Sequence, residues 1–332
     1  MLGRIALFLS VLYVLLNTFL LRWAAEKIPH MIDDDEEHFN ATLKKLLKPR
    51  YVGSPGHSEV GDFIEQELLR LDLMVARHDF QMGANFTNLA GILNHDAEHL
   101  LILTCHYDSQ APTDGVKEAF LGATEGAVSC AILLNVAKTL RTFFKDLSKK
   151  KGDMGLALIF FDGNNPLPSE PEEENGLKGS RSFVDAEYIP FPAMAATVTL
   201  GFIGAPNQTF VSQFEDTNDL FNVLADIETD LRNAGELADC HVLFQKEKQY
   251  DNDQIDDHLI FEEFGVPVMH LAPQEFPKVL YTADDNAENL HWPTIRNMNK
   301  IIRRFVYHFC ELWGSYVFLR DRFVSYYDLD ND

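Results

Sequence analysis

Basic residues are scarce in this sequence: 28 lysines and arginines stand against 51 aspartates and glutamates, which gives a formal net charge of −23. Such a surface would repel a phosphate backbone, so nucleic acid is excluded as a partner. The simplest interpretation of the charge is a solvated acidic surface, and that surface does not specify any chemistry.

Cysteine is also rare, with four residues, and no internal repeat is found. A hydrophobic content of 46% excludes disordered and collagen-like chains, and the low cysteine content excludes disulfide-rich scaffolds. A chain of 332 residues can bury a large core, as one large α/β domain or two smaller ones. The cysteines are Cys105, Cys130, Cys240 and Cys310, and the sequence leaves all three complete pairings open.

The N-terminal segment contains a long uncharged run. Arg4 precedes 17 uncharged residues, from Ile5 to Leu21, and Ala24-Ala25 offers small residues for cleavage. The run is long for a signal-peptide core and slightly short for a spanning helix. We therefore predict that residues 1–27 form a signal peptide or signal anchor. The protein then enters the secretory pathway and is extracellular, or lumenal with an N-terminal anchor, and it meets a membrane only if this segment stays uncleaved.

Three Asn-X-Thr sequons, at Asn40, Asn85 and Asn207, are predicted glycosylation sites and agree with a lumenal fate. An acidic run, Asp33 to Glu37, follows the apolar leader. It predicts a solvated acidic linker over residues 28–38, a folded domain over 39–325 and an acidic tail over 326–332.

Patterns of buried strands alternate with patterns of amphipathic helices in the predicted domain. Nearly continuous apolar runs predict central strands at 99–105, 154–161 and 266–271. Helices are predicted at 126–144, 217–231 and 294–309, and from Ser58, the candidate N-cap, to Leu71. Strands buried on both faces and separated by helices predict a single α/β domain. Its central β-sheet is mixed but mostly parallel, with helices on both faces.

Polar residues follow the predicted strands at their carboxyl ends. They are His106 to Asp108, Asp162 to Asn165 and Gly204 to Asn207. Because ligands bind beyond the carboxyl ends of strands in open α/β sheets, we predict the functional site here. An acidic, proline-containing stretch, Pro166 to Asn175, predicts a surface loop on the same rim, with Glu170 to Glu174 solvated.

Seven ordered segments resemble a known family. They are Cys105 to Ser109, Phe120 to Ala127, Phe160 to Gly163, Ile203 to Asn207, Asp256 to His258, Gly265 to Leu271 and Asp284 to Leu290. This set, over about residues 39–310, closely resembles the glutaminyl-peptide cyclotransferases, whose fold is that of the zinc aminopeptidases. The resemblance implies conversion of N-terminal glutamine to pyroglutamate, with one zinc held by an aspartate, a glutamate and a histidine. It also implies a disulfide between Cys105 and Cys130.

The positions that carry this chemistry in the family are substituted here. Glu125 stands at the aspartate ligand, Asn165 at the glutamate ligand and Tyr281 at the histidine ligand. Asn164 stands at the general-base position, and Gly201 replaces an acidic strand-end residue. A neutral amide accepts no proton near neutral pH, and a tyrosine with its ordinary pKa near 10 is seldom a zinc ligand.

The two-metal arrangement of aminopeptidases with this fold is not retained either, since its positions are His106, Glu125 and Gly201. Losing two or three ligands should abolish tight binding of a divalent ion. We therefore expect no cofactor, although zinc is the cofactor of the family. Phe276 on the pocket wall is retained, while Leu280 replaces a pocket tryptophan.

Three hypotheses follow for function. The first is a cyclotransferase-like protein that is catalytically impaired but still binds peptide or protein N-termini through Asp256 and Phe276, in a cleft that Gly201 could enlarge. The second is an active glutaminyl-peptide cyclotransferase with an atypical zinc site, using Glu125, Tyr281, Asp256 or a glutamate of the acidic loop. The third is a secreted or membrane-anchored interaction module.

A structural role competes with each functional one. His106, Asp108, Asp256 and His258 could simply satisfy buried backbone groups near the strand ends. His270 lies within an apolar strand pattern and is interpreted as a hydrogen-bonded core histidine.

Overall fold

The computed structural model describes residues 34–112, 120–167, 176–250 and 254–327, with side chains up to Trp313. The predicted leader at 1–27 lies outside these residues. So do the first part of the predicted linker, Glu170 to Glu174 of the acidic loop, and residues 328–332 of the predicted tail.

The described chain begins with a capped helix, α1, which spans Glu36–Leu46. The carboxylate of Asp35 accepts a hydrogen bond from the backbone N–H of His38 at 2.9 Å. Glutamates in the first turn and lysines in the last turn complement the helix dipole. Helix α1 therefore begins inside the stretch predicted as a linker, because the end of the acidic run starts a helix.

Helix α2 spans Pro55–Arg70, and its cap differs from the predicted one. Ser54, rather than Ser58, accepts a hydrogen bond from the backbone N–H of His57 at 3.1 Å. Pro55 occupies the first turn, where its missing N–H leaves no hydrogen bond unmade. Ser58 lies inside the helix and is exposed.

Six strands form the central sheet in the order β1-β2-β4-β3-β5-β8. They are β1 (Met74–Gln81), β2 (Asn85–Leu93), β3 (His99–His106), β4 (Met154–Phe161), β5 (Met194–Leu200) and β8 (Val268–Leu271). The pairs β1–β2 and β2–β4 are antiparallel, while β4–β3, β3–β5 and β5–β8 are parallel. The predicted mixed, mostly parallel sheet is confirmed.

Helices cover both faces of this sheet, as predicted. The remaining ones are α3 (Val128–Lys149), α4 (Lys178–Asp185), α5 (Asn218–Asn233), α6 (His258–Glu263) and α7 (Trp292–Tyr327). Helices α4 and α6 pack with Ile102, Ile159 and Phe161 in one apolar cluster. Helix α2 packs against β1 and β2 from the other side, where α3 also contacts the sheet. A small parallel pair, β6 (Phe210–Ser212) and β7 (Phe244–Lys248), lies apart from the main sheet.

One helical segment among the described residues, 123–149, is long and apolar enough to cross a membrane. Most of its apolar stretch is buried within the domain, so the core accounts for its apolar character.

The register of the parallel strands brings their carboxyl ends to one edge. His106 pairs with Phe161, and Leu200 pairs with Leu271. The residues that follow these strands are thereby collected at a single place, where the sequence predicts the site.

Candidate functional site

Asp108, two residues beyond β3, is a fully buried acceptor at the centre of this edge. Its carboxylate accepts hydrogen bonds from the backbone N–H groups of Asn164 (3.2 Å) and Asn165 (2.9 Å). Burial raises the pKa of Asp108, but hydrogen bonds from His106 and Asn165 outweigh burial and lower that pKa below its ordinary value. Asp108 does satisfy buried backbone groups, as the structural alternative expects.

His106 is buried beside several carboxylates. Its Nδ1 lies 3.4 Å from Oδ1 of Asp108. Burial disfavours a charged imidazole, but the hydrogen bond and charge of Asp108, with the charges of Glu125 and Asp256, raise the pKa of His106 to about 10. The side chain is therefore an imidazolium near neutral pH.

Glu125 lies on a single π-helical turn, Ala123–Ala127, which follows Gly122 in the left-handed conformation (φ 53°). A Cβ atom at Gly122 would collide with the Glu125 carboxylate, so the close approach requires glycine. Asp285 accepts from the backbone N–H groups of Thr124 (2.7 Å) and Glu125 (3.3 Å) and holds the turn in place. Burial raises the pKa of Glu125, against the lowering effect of His106 and Arg50.

Arg50, which sequence analysis did not identify, lies fully buried next to these carboxylates. Its Nε donates to the carbonyl oxygen of Tyr107 at 2.7 Å, and its guanidinium also donates to the carbonyls of Leu121 and Gly122. No motif marks this arginine, because its partners lie 57 to 72 residues away along the chain. Asp285 was within a segment of the resemblance but was not assigned a role.

Asn164 and Asn165 lie in the loop after β4, as predicted. The Nδ2 group of Asn164 donates to Oδ1 of Asp256 at 2.9 Å and to Oδ2 of Asp257 at 3.0 Å. The Nδ2 group of Asn165 donates to Oδ2 of Asp108 at 3.2 Å. Both side-chain amides therefore donate hydrogen bonds to buried carboxylates.

Asp256 and Asp257 precede α6 and are both buried, yet their environments differ. Burial raises the pKa of Asp256, but the hydrogen bond and charge of His270 outweigh it and hold this pKa far below the ordinary value. Burial and the charge of Asp256 instead raise the pKa of Asp257 to about 7. The retained Asp256 is thus a carboxylate near neutral pH.

His270 is a hydrogen-bonded core histidine, as interpreted from the sequence. Its Nε2 lies 3.1 Å from Asp256, its Nδ1 lies 3.0 Å from Gln213, and its ring stacks on His258 with centroids 4.0 Å apart. Burial and the charge of His270 lower the pKa of His258 to about 2, so His258 is neutral. His270 thus contacts Asp256 directly, and His258 packs on His270.

Gly201 follows β5 and faces Asp256. A Cβ atom at Gly201 would lie 3.1 Å from Oδ2 of Asp256. Any side chain at this position would therefore crowd the oxygen that His270 contacts.

The exposed rim of the site is apolar and aromatic. Phe276 is 47% exposed and packs edge-to-face on Phe202, with ring centroids 4.8 Å apart. Tyr281 is 46% exposed, Ile255 is 75% exposed, and Leu280 is half-buried. Burial and the carboxylates Glu125 and Asp256 raise the pKa of Tyr281 above its ordinary value, so its phenol keeps its proton.

The residues at the three positions predicted to correspond to the zinc ligands of the family do not fit a zinc ion. Asn165 uses its amide as a donor to Asp108, Tyr281 remains protonated, and Glu125 alone supplies a carboxylate. Within the part of the chain that the structure describes, no group of three or more His, Cys, Asp or Glu side chains is arranged to hold a metal. The absence of zinc from the protein stays a prediction.

Cys105 and Cys130 form a disulfide between β3 and α3, with Cα atoms 5.8 Å apart. This confirms the pairing implied by the resemblance. Cys240 is free and exposed, and Cys310 is free and buried.

The comparisons with known proteins agree with this architecture. The profile of peptidase family M28 matches residues 88–306. The crystal structure of Macrostomum lignano glutaminyl cyclase superposes with a TM-score of 0.76 at 25% sequence identity, over 85% of this chain and 92% of the other. The fold and the profile match together place this chain among the zinc-exopeptidase-like α/β proteins, as predicted.

The sequence relatives specify the family more closely. Glutaminyl-peptide cyclotransferases of Drosophila melanogaster and Bos taurus are each 35% identical to this chain. The alignments cover 82% and 90% of this chain and 80% and 87% of the relatives. This chain belongs to the glutaminyl-peptide cyclotransferase family, which confirms the resemblance found in the sequence.

Proposed function

We propose that this member of the family does not catalyse cyclisation and instead binds the N-termini of peptides or proteins. The observation that carries the proposal is the side chain of Asn164. At the general-base position, its amide donates to Asp256 and Asp257, and it has no basic atom to accept a proton.

Cyclisation makes a bond between the α-nitrogen and the γ-carbon of an N-terminal glutamine and releases ammonia. A proton must leave the attacking amine and reach the departing ammonia, and a side chain with a suitable pKa must carry it. Asn164 cannot do this, and Glu125 and Tyr281 have raised pKa values. The family is zinc-dependent, and the residues present here do not fit that metal.

The site retains features suited to an N-terminal residue. The buried Asp256 carboxylate stays ionised, and its negative charge attracts an α-ammonium group brought to the rim. The exposed side chains of Ile255, Phe276 and Tyr281 offer an apolar rim for the first side chain of a peptide. Buried negative charge close to an apolar rim supports binding of a charged N-terminus without chemistry on it.

Metal content and turnover of the purified full chain test the catalytic part of the proposal. We expect substoichiometric zinc and no ammonia release from Gln-initiated peptides, with the Drosophila melanogaster relative as the positive control. Stoichiometric zinc together with pyroglutamate formation would instead establish the active enzyme with an atypical zinc site.

Calorimetry with peptides that carry a free or an acetylated N-terminus tests binding. We expect only the free N-terminus to bind, and Phe276→Ala to weaken binding by about tenfold through loss of one apolar contact. Phe264→Ala is the matched control, because Phe264 is also exposed but stacks on Phe191 away from the rim. Equal effects of the two variants would contradict binding at this site and favour an interaction module.

We also propose that the chain is glycosylated in the secretory pathway. Asn40 in α1, Asn85 at the start of β2 and Asn207 after β5 are all exposed, as glycan acceptors must be. Expression in insect cells followed by enzymatic deglycosylation should lower the apparent mass. Each Asn→Gln variant should remove one glycan, and a mass unchanged by deglycosylation would contradict the proposal.

A further inference from the structure

We infer that Asn164 and Asn165 hold the site together in place of a metal ion, so that the folded domain is complete without zinc. The inference deepens the proposed function and rests on it, because both require that the family's metal position is not used. It assigns a structural role to two residues that the resemblance to the family marks only as lost catalytic or metal-binding carboxylates.

Asn164 uses both hydrogens of its side-chain NH2 group for this role. An NH2 group has two hydrogens, and those of Asn164 are directed to two different carboxylates, Asp256 at 2.9 Å and Asp257 at 3.0 Å. The contact with Asp256 joins residues 92 positions apart. It fastens the loop after β4 to the segment before α6, which is a cross-link of the kind that a shared metal ion makes.

Asn165 makes the second cross-link. Its backbone N–H and its Nδ2 group both donate to Oδ2 of Asp108, at 2.9 Å and 3.2 Å. The ends of β3 and β4 are thereby joined through one residue.

The positive charge at the site comes from the protein itself. Arg50 is buried beside Asp108 and Glu125, and its guanidinium offsets these carboxylates. A carboxylate at position 164 would remove two donors and place another negative charge against Asp256 and Asp257. An unpaired buried charge is strongly destabilising, so amides suit a metal-free site and carboxylates require a cation.

Thermal unfolding of the full chain tests this inference with Asn164→Asp, which keeps the side-chain shape but replaces donors with a charge. Wild type, Asn164→Asp and Asn165→Asp are each measured with EDTA and with zinc chloride. Asn222→Asp on α5 is the matched control. We expect the wild-type Tm to agree within about 1 °C in the two conditions, and each site variant to lose about 5 °C or more. The control should change by only about 1 °C.

The outcomes separate this inference from the proposed function. If Asn164→Asp and Asn222→Asp have the same Tm while wild type carries no zinc, the inference fails and the proposed function stands. If EDTA removes zinc from wild type and lowers its Tm, both fail. Should Asn164→Asp yield no folded protein, Asn164→Ala removes the donors without adding a charge. A Tm of Asn164→Ala equal to that of wild type would then overturn the inference.

Discussion

At the scale of single residues, specific donors rather than solvent stabilise several buried carboxylates of this protein. Glu67 on α2 is an example away from the site. It accepts from Arg70 Nε at 2.8 Å, and its Oε1 lies 2.7 Å from His38 Nε2 on α1. Burial raises the pKa of Glu67, but the bonds from Arg70 and His38 outweigh burial and lower that pKa. The acidic residues of this chain are therefore not confined to a solvated surface.

This residue leads to a prediction for pH dependence. A carboxylate whose pKa is lower in the folded than in the unfolded state adds stability above its unfolded pKa, about 4.3. That stability is lost as the pH falls through the folded pKa. Glu67→Gln should therefore lower the free energy of unfolding by about 1–2 kcal/mol at pH 7, and by much less below about pH 4. Urea unfolding across this range measures the difference. Exposed Glu37→Gln serves as control, and a pH-independent loss in Glu67→Gln would contradict the electrostatic explanation.

At the scale of elements, strands with long apolar runs were predicted closely, whereas β1, β2 and β5 were not predicted from the sequence. β4 was predicted at 154–161 and spans Met154–Phe161, because every residue of this strand is buried and its apolar run has sharp ends. Helix starts were less predictable. Ser54 and Ser58 are both competent caps, and the choice of Ser54 agrees with Pro55, whose fixed φ is favoured in the first turn.

The cap of α2 can be tested directly. Ser54→Ala should destabilise the protein by about 1 kcal/mol, because the backbone N–H of His57 loses its side-chain acceptor. Ser58→Ala should be within about 0.5 kcal/mol of wild type, since Ser58 is exposed inside the helix. Chemical denaturation of the two variants distinguishes them. A larger loss of stability in Ser58→Ala would contradict the Ser54 cap and support the cap predicted from the sequence.

At the scale of the whole molecule, the sheet and its covering helices place distant segments in one network. The covalent part of that network is the Cys105–Cys130 disulfide, which joins β3 to α3 and closes a loop with a sequence separation of 25. The remaining connections at this edge are hydrogen bonds and buried charges.

Removing the disulfide should therefore have a global effect. By loop entropy, the Cys105→Ser/Cys130→Ser double variant should lose about 3 kcal/mol of stability. Equilibrium unfolding in urea measures it, with Cys240→Ser as the control, because Cys240 is free and exposed. A double variant as stable as the control would show that the noncovalent network is sufficient.

The residues of the candidate site also divide into those that the sequence predicted and those that it missed. The resemblance identified Asn164, Asn165 and Gly201 as substituted positions, and the parallel strand ends do bring them together. Arg50 and Asp285 were missed, because their contribution comes from contacts with distant segments and not from a local pattern.

Periodicity, apolar runs and ordered motifs were enough to establish the α/β class and the family, and they predicted the positions where its chemistry is substituted. These properties are local or are carried by residue identity, so a linear chain displays them. The partners of each side chain are not local. That Asn164 bridges Asp256 and Asp257, and that Arg50 lies beside Glu125, follows from strand ends meeting at one edge of the sheet. Hydrogen bonds and buried charges depend on distances of a few ångströms, and folding alone sets those distances between residues far apart in the chain.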